Sequence, residues 1–252
     1  MMKPKAFRTW LALLGSLAAG SVQAQLFDRG GGLIYDSDLD VTWLADANYA
    51  NTSGAYTPGK MSWQNAVAWV DGLTYADSVR GTTYDDWRLP TFQDLGAAGC
   101  DYGYSGTDCG FNVALTSSEL AHLFYGDFGN KGFSDSRGLP QPGYGLVDDP
   151  ATPDDESLFS NLQSFSYWLG TSYSGDSNKA WYLSTSTGMQ NYIGKGSQFY
   201  VLAVRDGDVT AVPNPESYIL FLSGLGLMAG RIGRRRSGAS PIESIHLRGK
   251  IL

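Results

Sequence analysis

A Pro-x-Pro stop followed by an apolar run confines the folded part of this chain to what lies before it. The sequence Val212-Pro213-Asn214-Pro215-Glu216 leads through Ser217 into an apolar stretch from Tyr218 to Gly230. Arg231 and Arg234-Arg235-Arg236 close that stretch. Proline has no backbone N–H and a fixed φ, so two of them end any strand that reaches this point. Arginines resist crossing a bilayer and stay on the cytoplasmic side. A span takes about 20 apolar residues, and a run of 10–14 alone reads as a core helix. A second address at the other end reverses that default. Lys3, Lys5 and Arg8 precede an apolar segment from Trp10 to Ala19, and Val22-Gln23-Ala24 offers a small-residue cleavage site. This is the pattern of a secretory signal peptide over residues 1–24. The expectation is an exported chain with a short C-terminal membrane helix, its middle facing the periplasm or the exterior.

The middle, residues 25–211, is long enough for one good core and shows no internal repeat. Residues 25–212 hold 23 Asp and Glu against 9 Lys and Arg, a net charge of −14. Such a surface repels phosphate backbones, so nucleic acid is excluded as a partner. A divalent cation or a neutral polymer fits it better. The two cysteines, Cys100 and Cys109, read in an exported chain as one local disulfide. Histidine occurs twice, at His122 and His246, too sparsely for a His-rich metal centre. His122 sits at helical spacing with Leu120, Leu123 and Phe124, so it reads as a helix-surface or satisfied core residue rather than the base of a catalytic triad.

Hydrophobic periodicity predicts a hairpin from Gly32–Asp36 and Val41–Leu44. It predicts a helix capped by Ser62, with Trp63, Ala66, Val67, Val70 and Leu73 on one face, ended by Gly72. Asp86 to Pro90 reads as extended. Thr91 and Asp94 form a capping box that predicts a short second helix, and a third helix is expected from Ser117 to Tyr125. Residues 130–155 read as a long Gly/Pro/Asp-rich loop. The end is expected to be all β, over 165–171, 180–184, 188–193 and 199–205. These elements make a mixed α and β chain with few helices and long loops.

Two resemblances sharpen these readings. Val212, Pro213, Pro215, Glu216, Ser217, Tyr218, Gly224 to Leu227 and Arg234 to Arg236 resemble the PEP-CTERM sorting signal of Gram-negative bacteria that secrete exopolysaccharide. That resemblance implies removal of the tail by an exosortase, after signal peptidase has acted at the other end. It implies a final location at the cell surface or in the extracellular matrix. Asn214 stands where that family usually has Glu, and residues 237–252 extend past the arginines without a recognisable motif. Within the middle, Leu33-Ile34-Tyr35-Asp36, Thr42-Trp43-Leu44, Ser62-Trp63-Gln64-Asn65-Ala66, Asp86-Trp87-Arg88-Leu89-Pro90-Thr91, Tyr167-Trp168, Ala180-Trp181 and Val204-Arg205-Asp206 resemble the Lcl C-terminal domain family. The resemblance implies a C-type-lectin-like fold of the kind seen in formylglycine-generating enzymes, α+β, with few helices packed on twisted antiparallel strands and long loops. It also implies a surface adhesin role, since the domain that names the family is associated with sulfated glycosaminoglycans. Those enzymes use a cysteine pair in their C-terminal core, and no such pair stands there in this chain.

The ligand-binding candidates are Tyr173, Asp176, Asn178 and Trp181, an aromatic face beside groups that can bond sugar hydroxyls. The loop 130–155 is a second candidate surface. Asp36, Asp38 and Asp40 have the spacing of the first half of a calcium loop, but Val41 replaces its glycine and Ala47 its bidentate glutamate. Calcium is thus a possible cofactor at most, and a solvated turn the plainer reading. Trp87 and Leu89 are expected to face the core while Arg88 pairs with a buried carboxylate. The acidic run Asp148, Asp149, Asp154, Asp155 and Glu156 lacks the rigid scaffold that a glycosidase pair requires. The expected function is a noncatalytic surface or matrix protein that binds polysaccharide. The alternatives are a structural matrix component without a discrete ligand and an enzyme of the formylglycine-generating type.

Overall fold

The computed structural model describes residues 26–96, 100, 107–146 and 155–209. The signal peptide, the sorting motif Val212, Pro213, Pro215 and Glu216, the apolar run, Arg234 to Arg236, the tail 237–252, and residues 147–154 of the acidic loop lie outside the described residues. Among the described residues no helix is long and apolar enough to cross a membrane.

The architecture is mixed, mostly antiparallel sheet with few helices. Strands β1 (Leu26–Gly30), β2 (Leu33–Asp36) and β3 (Val41–Leu44) form a meander. β3 pairs on its other side with β9 (Val204–Asp206), so the two ends of the domain share one sheet. Arg29 and Asp208 clasp them further by a two-point ion pair, and Thr42 Oγ1 donates to Gly207 O at 2.7 Å. A second antiparallel sheet is the meander β6 (Ser166–Ser172), β7 (Lys179–Ser184) and β8 (Gln190–Gly194). A small hairpin joins β4 (Tyr75–Asp77) and β5 (Thr82–Tyr84).

Strand alternation sorts the apolar side chains into two cores. Ile34, Val41, Trp43, Tyr167, Leu169, Trp181 and Leu183 fill one, while Leu33, Leu44, Trp168, Ala180 and Tyr182 fill the other. Neighbours along one strand point to opposite faces, so these strands are buried on both sides. That is why β3 is buried at all four positions, Thr42 included, rather than at alternate ones.

Helices cover the two faces. A single turn, α1 (Tyr49–Thr52), precedes α2 (Trp63–Asp71). The Ser62 side chain caps α2 by accepting from Asn65 N, and Ala66 and Val70 are its buried face, as the periodicity predicts. Leu73 is buried as well, but Val67 is 36% exposed. The third predicted helix is a single α turn, α3 (Glu119–Ala121), capped by Ser118, which widens into a π-helical turn over His122–Asp127. Leu120, Leu123 and Phe124 pack into the first core as expected.

The helix predicted from Thr91 does not form. Thr91 N donates to Glu119 Oε2, Phe92 bridges to Ser118, and the Asp94 carboxylate reaches across the fold to Ser174 and Trp181. Tertiary partners thus take the groups that a capping box would have used. Likewise, of the strand predicted over 199–205, only Val204 and Arg205 join a sheet, within β9. Phe199 and Tyr200 instead make isolated bridges to Met61 and Tyr167.

Candidate functional site

The segment Trp87-Arg88-Leu89-Pro90 is wedged between the two larger sheets. Arg88 N and O pair with Val204, and Gly170 N donates to Pro90 O. Trp87 and Leu89 are buried, and the Trp87 indole donates to Tyr84 O at 3.1 Å. The Arg88 guanidinium holds Glu119 at 2.8 and 2.9 Å and also reaches Asp206. The expected buried carboxylate is therefore Glu119, whose side chain is 13% exposed. This node is structural and fixes where segment 91–96 leaves the core.

That segment leads to the turn that carries the candidate residues. Tyr173 follows β6, and Trp181 of β7 lies directly across from Tyr192 of β8. The Tyr173 and Tyr192 rings stack 3.8 Å apart at 9°, and both stand edge-on to Trp181, at 5.6 and 5.2 Å. Trp181 is only 2% exposed and lies against Phe92. It therefore supports the turn from below and offers no face to a ligand, which corrects its place among the contact residues. Tyr192 is the half-buried ring that stacks on Tyr173, and the only signal for it in the sequence is the cross-strand register with Trp181.

Asp94 locks the arrangement. Its carboxylate accepts from Ser174 N at 2.7 Å, Gly96 N at 2.9 Å and Trp181 Nε1 at 3.1 Å. Burial pushes this carboxyl up, but the N–H donors of Ser174, Gly96 and Trp181 outweigh it and hold the group below the usual carboxylate range. Within the turn, Tyr173 N donates to Lys179 O, and Asp176 Oδ1 accepts from Asn178 N at 3.0 Å. That N–H, helped by Lys179, lowers the Asp176 carboxyl. A hydrogen bond to Tyr192 raises the Tyr173 hydroxyl, so that phenol stays protonated at neutral pH. Ser174 and Asn178 are exposed, and Tyr173, Asp176 and Tyr192 are half-buried. The result is a rigid aromatic pair beside hydroxyl, carboxylate and amide groups, a donor set suited to a polyhydroxylated ligand.

The disulfide expected between Cys100 and Cys109 is present, with Cα atoms 4.8 Å apart. It sits beside β8, where Cys100 Sγ lies 3.5 Å from Asn191 Oδ1 and Gly110 pairs with Gln190. The bridge thus borders the strand that carries Tyr192.

The other candidates do not join this site. Residues 130–146 are an irregular hairpin, with Lys131 bridging Gly145 and Ser134 bridging Pro140. Phe133 lies between Phe111 and Tyr144, at 5.9 and 5.1 Å. The calcium half-loop splits in two: Asp36 is fully buried, accepting from Asp38 N and Leu39 N, whereas Asp38 and Asp40 are exposed. Asp40 accepts from the Tyr35 hydroxyl. These three carboxylates shape a turn and do not converge. A separate cavity of about 280 Å³ opens between α2 and β6, lined by Val67, Val70, Trp87, Arg88, Thr91 and Thr171 among others.

No curated protein and no solved structure matches the chain. The model of the Lcl C-terminal domain matches residues 32–205, from the start of β2 into β9, and so covers the β6–β8 sheet, the first sheet apart from β1 and the end of β9, and the Tyr173 turn. The chain belongs to the Lcl C-terminal domain family.

Proposed function

We propose that this is a noncatalytic, exported surface or extracellular-matrix protein that binds a neutral polysaccharide at the turn Tyr173–Asn178, beside Tyr192. The observation that carries the reading is the stacked Tyr173–Tyr192 pair, fixed from below by Trp181 and Asp94 and flanked by Asp176 and Asn178. Sugar rings stack on aromatic edges and faces, while their hydroxyls need both donors and acceptors. Rigid aromatic anchors lose little entropy when they bind. The net charge of −14 favours an uncharged polymer over a sulfated one. Binding rather catalysis is also favoured by the cysteines, since the disulfide leaves neither thiol available for chemistry of the formylglycine-generating type. A C-type-lectin-like scaffold accords with two features of the domain: its first and last strands share one sheet, and much of its surface is irregular loop.

In this reading residues 1–24 are the signal peptide, and residues 212–236 are a PEP-CTERM-type sorting signal with a short membrane helix. Signal peptidase and an exosortase are the processing partners. The membrane holds the intermediate before release to the surface or matrix. Retention of the purified protein on immobilised exopolysaccharide from its host, with and without calcium, tests the proposal. Retention that is saturable and calcium-independent is expected; no retention in either condition contradicts it.

A further inference from the structure

Two buried acidic side chains and the domain's one histidine meet beneath the first hairpin, and none of them belongs to the Tyr173 turn. Asp36 closes β2, while His122 and Asp127 are the first and last residues of the π-helical turn. One ligand atom from each lies within 4.8 Å of the others. The π turn makes this meeting possible. Residues five apart on an α-helix point roughly 140° away from each other, whereas i→i+5 bonding brings them to one side. Phe128 N donates to Leu123 O at 3.0 Å in that wider pattern. Ordinary α-helical winding would set Gly126, which has no side chain, opposite His122.

The imidazole donor of the group is not satisfied by its neighbours. His122 Nε2 is shut off from solvent and makes no hydrogen bond. It lies 3.8 Å from Asp127 Oδ1, beyond hydrogen-bond reach, and the Asp127 side chain is fully buried. Asp36 uses Oδ1 for the N–H groups of Asp38 and Leu39. Its Oδ2 meets the Trp43 indole N–H at 3.5 Å, the far limit of such a bond.

We propose that Asp36, His122 and Asp127 bind one divalent transition-metal ion, Zn²⁺ in the first instance. The ion staples the β2–β3 hairpin to the π turn. One imidazole nitrogen with two carboxylates is a donor set of the zinc type, with a water completing four ligands. Ligands about 2.1 Å from a tetrahedral ion stand roughly 3.4 Å apart, so His122 and Asp127 need close by only a few tenths of an ångström. Calcium seeks six to eight oxygens and fits this small nitrogen-containing set poorly.

The test uses the full chain without a histidine tag, stripped with EDTA, reloaded with ZnCl₂ and desalted. One zinc per chain and a higher melting temperature are expected, and Co²⁺ in place of zinc should give visible absorption bands of a nitrogen/oxygen site. The Co²⁺ spectrum is read on the wild-type chain and does not depend on a variant folding. His122→Gln and Asp127→Asn should lose the metal, while His246→Ala should keep it. Absence of bound zinc in the wild type overturns the proposal. Full metal content in His122→Gln, loss confined to His246→Ala, or a melting shift with Ca²⁺ and none with Zn²⁺ would overturn it equally.

Discussion

Arg88→Met removes the cation that joins segment 87–91, α3 and β9 while keeping most of the side-chain volume. The backbone pairing of Arg88 with Val204 is untouched, as are the buried Trp87 and Leu89. The two arms of the node carry different weights. Glu119 is 13% exposed and bonded at two points, so the variant leaves a nearly buried carboxylate with the Thr91 N–H in place of a full cation. Breaking a buried pair from one side costs about 3–5 kcal/mol. With Arg88 still 28% exposed, roughly 2–3 kcal/mol is expected. Asp206 is 81% exposed, and a surface pair of that kind contributes about 0–1 kcal/mol. Glu119→Gln keeps an acceptor for Thr91 N and should fall between, at roughly 1–2 kcal/mol. Urea unfolding followed by tryptophan fluorescence resolves this order, Arg88→Met above Glu119→Gln above Asp206→Asn, provided that the m-values agree. Equal losses in Asp206→Asn and Glu119→Gln, or less than about 1 kcal/mol in Arg88→Met, would refute the reasoning that burial decides the weight of each arm.

Asp94 has a lowered carboxyl in the folded state, so its contribution is present above the unfolded value near 3.9 and is lost as pH falls through the folded one. Asp94→Asn should therefore flatten the acid limb of the stability profile, and an unchanged limb would contradict that linkage. Replacing Cys100 and Cys109 together by Ser should lower stability by about 2.5–3 kcal/mol by loop-closure entropy. The disulfide itself is checked by thiol titration of the unfolded, unreduced protein, where free thiols would contradict it. Intact mass of the protein from its native host should show cleavage after Ala24 and near Pro215 to Tyr218. A species that retains Arg234 to Leu252 would contradict processing by an exosortase.

The sequence was most legible where local pattern and tertiary packing agree. The Leu33–Asp36 and Val41–Leu44 hairpin, the Ser62 cap and the meander after residue 165 can all be read from spacing alone. The segment after Pro90 could not be read so. Thr91 and Asp94 form a plausible local cap, but their partners are Glu119, Ser174 and Trp181, distant in sequence. Strand β1 and the β4–β5 hairpin escaped for another reason: Leu26–Gly30 and Thr82–Tyr84 are short and half-exposed, with little periodicity. In the candidate site, Tyr173, Asp176 and Asn178 were identifiable as a turn beside aromatics. Only the strand register brought in Tyr192, and the burial of Trp181 placed that ring in the core. His122, Asp127 and Asp36 could not be associated from sequence, because an α-helical reading places the first two on different faces.

The most direct test of the polysaccharide-binding claim compares the wild-type protein with the Tyr173→Ala/Asp176→Ala/Asn178→Ala variant on the host's immobilised exopolysaccharide. Tyr173 packs only against the edge of the first core, Asn178 is exposed and Asp176 half-buried, so the variant should still fold and melt within several degrees of wild type. Retention should fall at least tenfold, a loss of about 1.4 kcal/mol in binding. A variant that folds and is retained as strongly as wild type would contradict the assignment of the site to this turn.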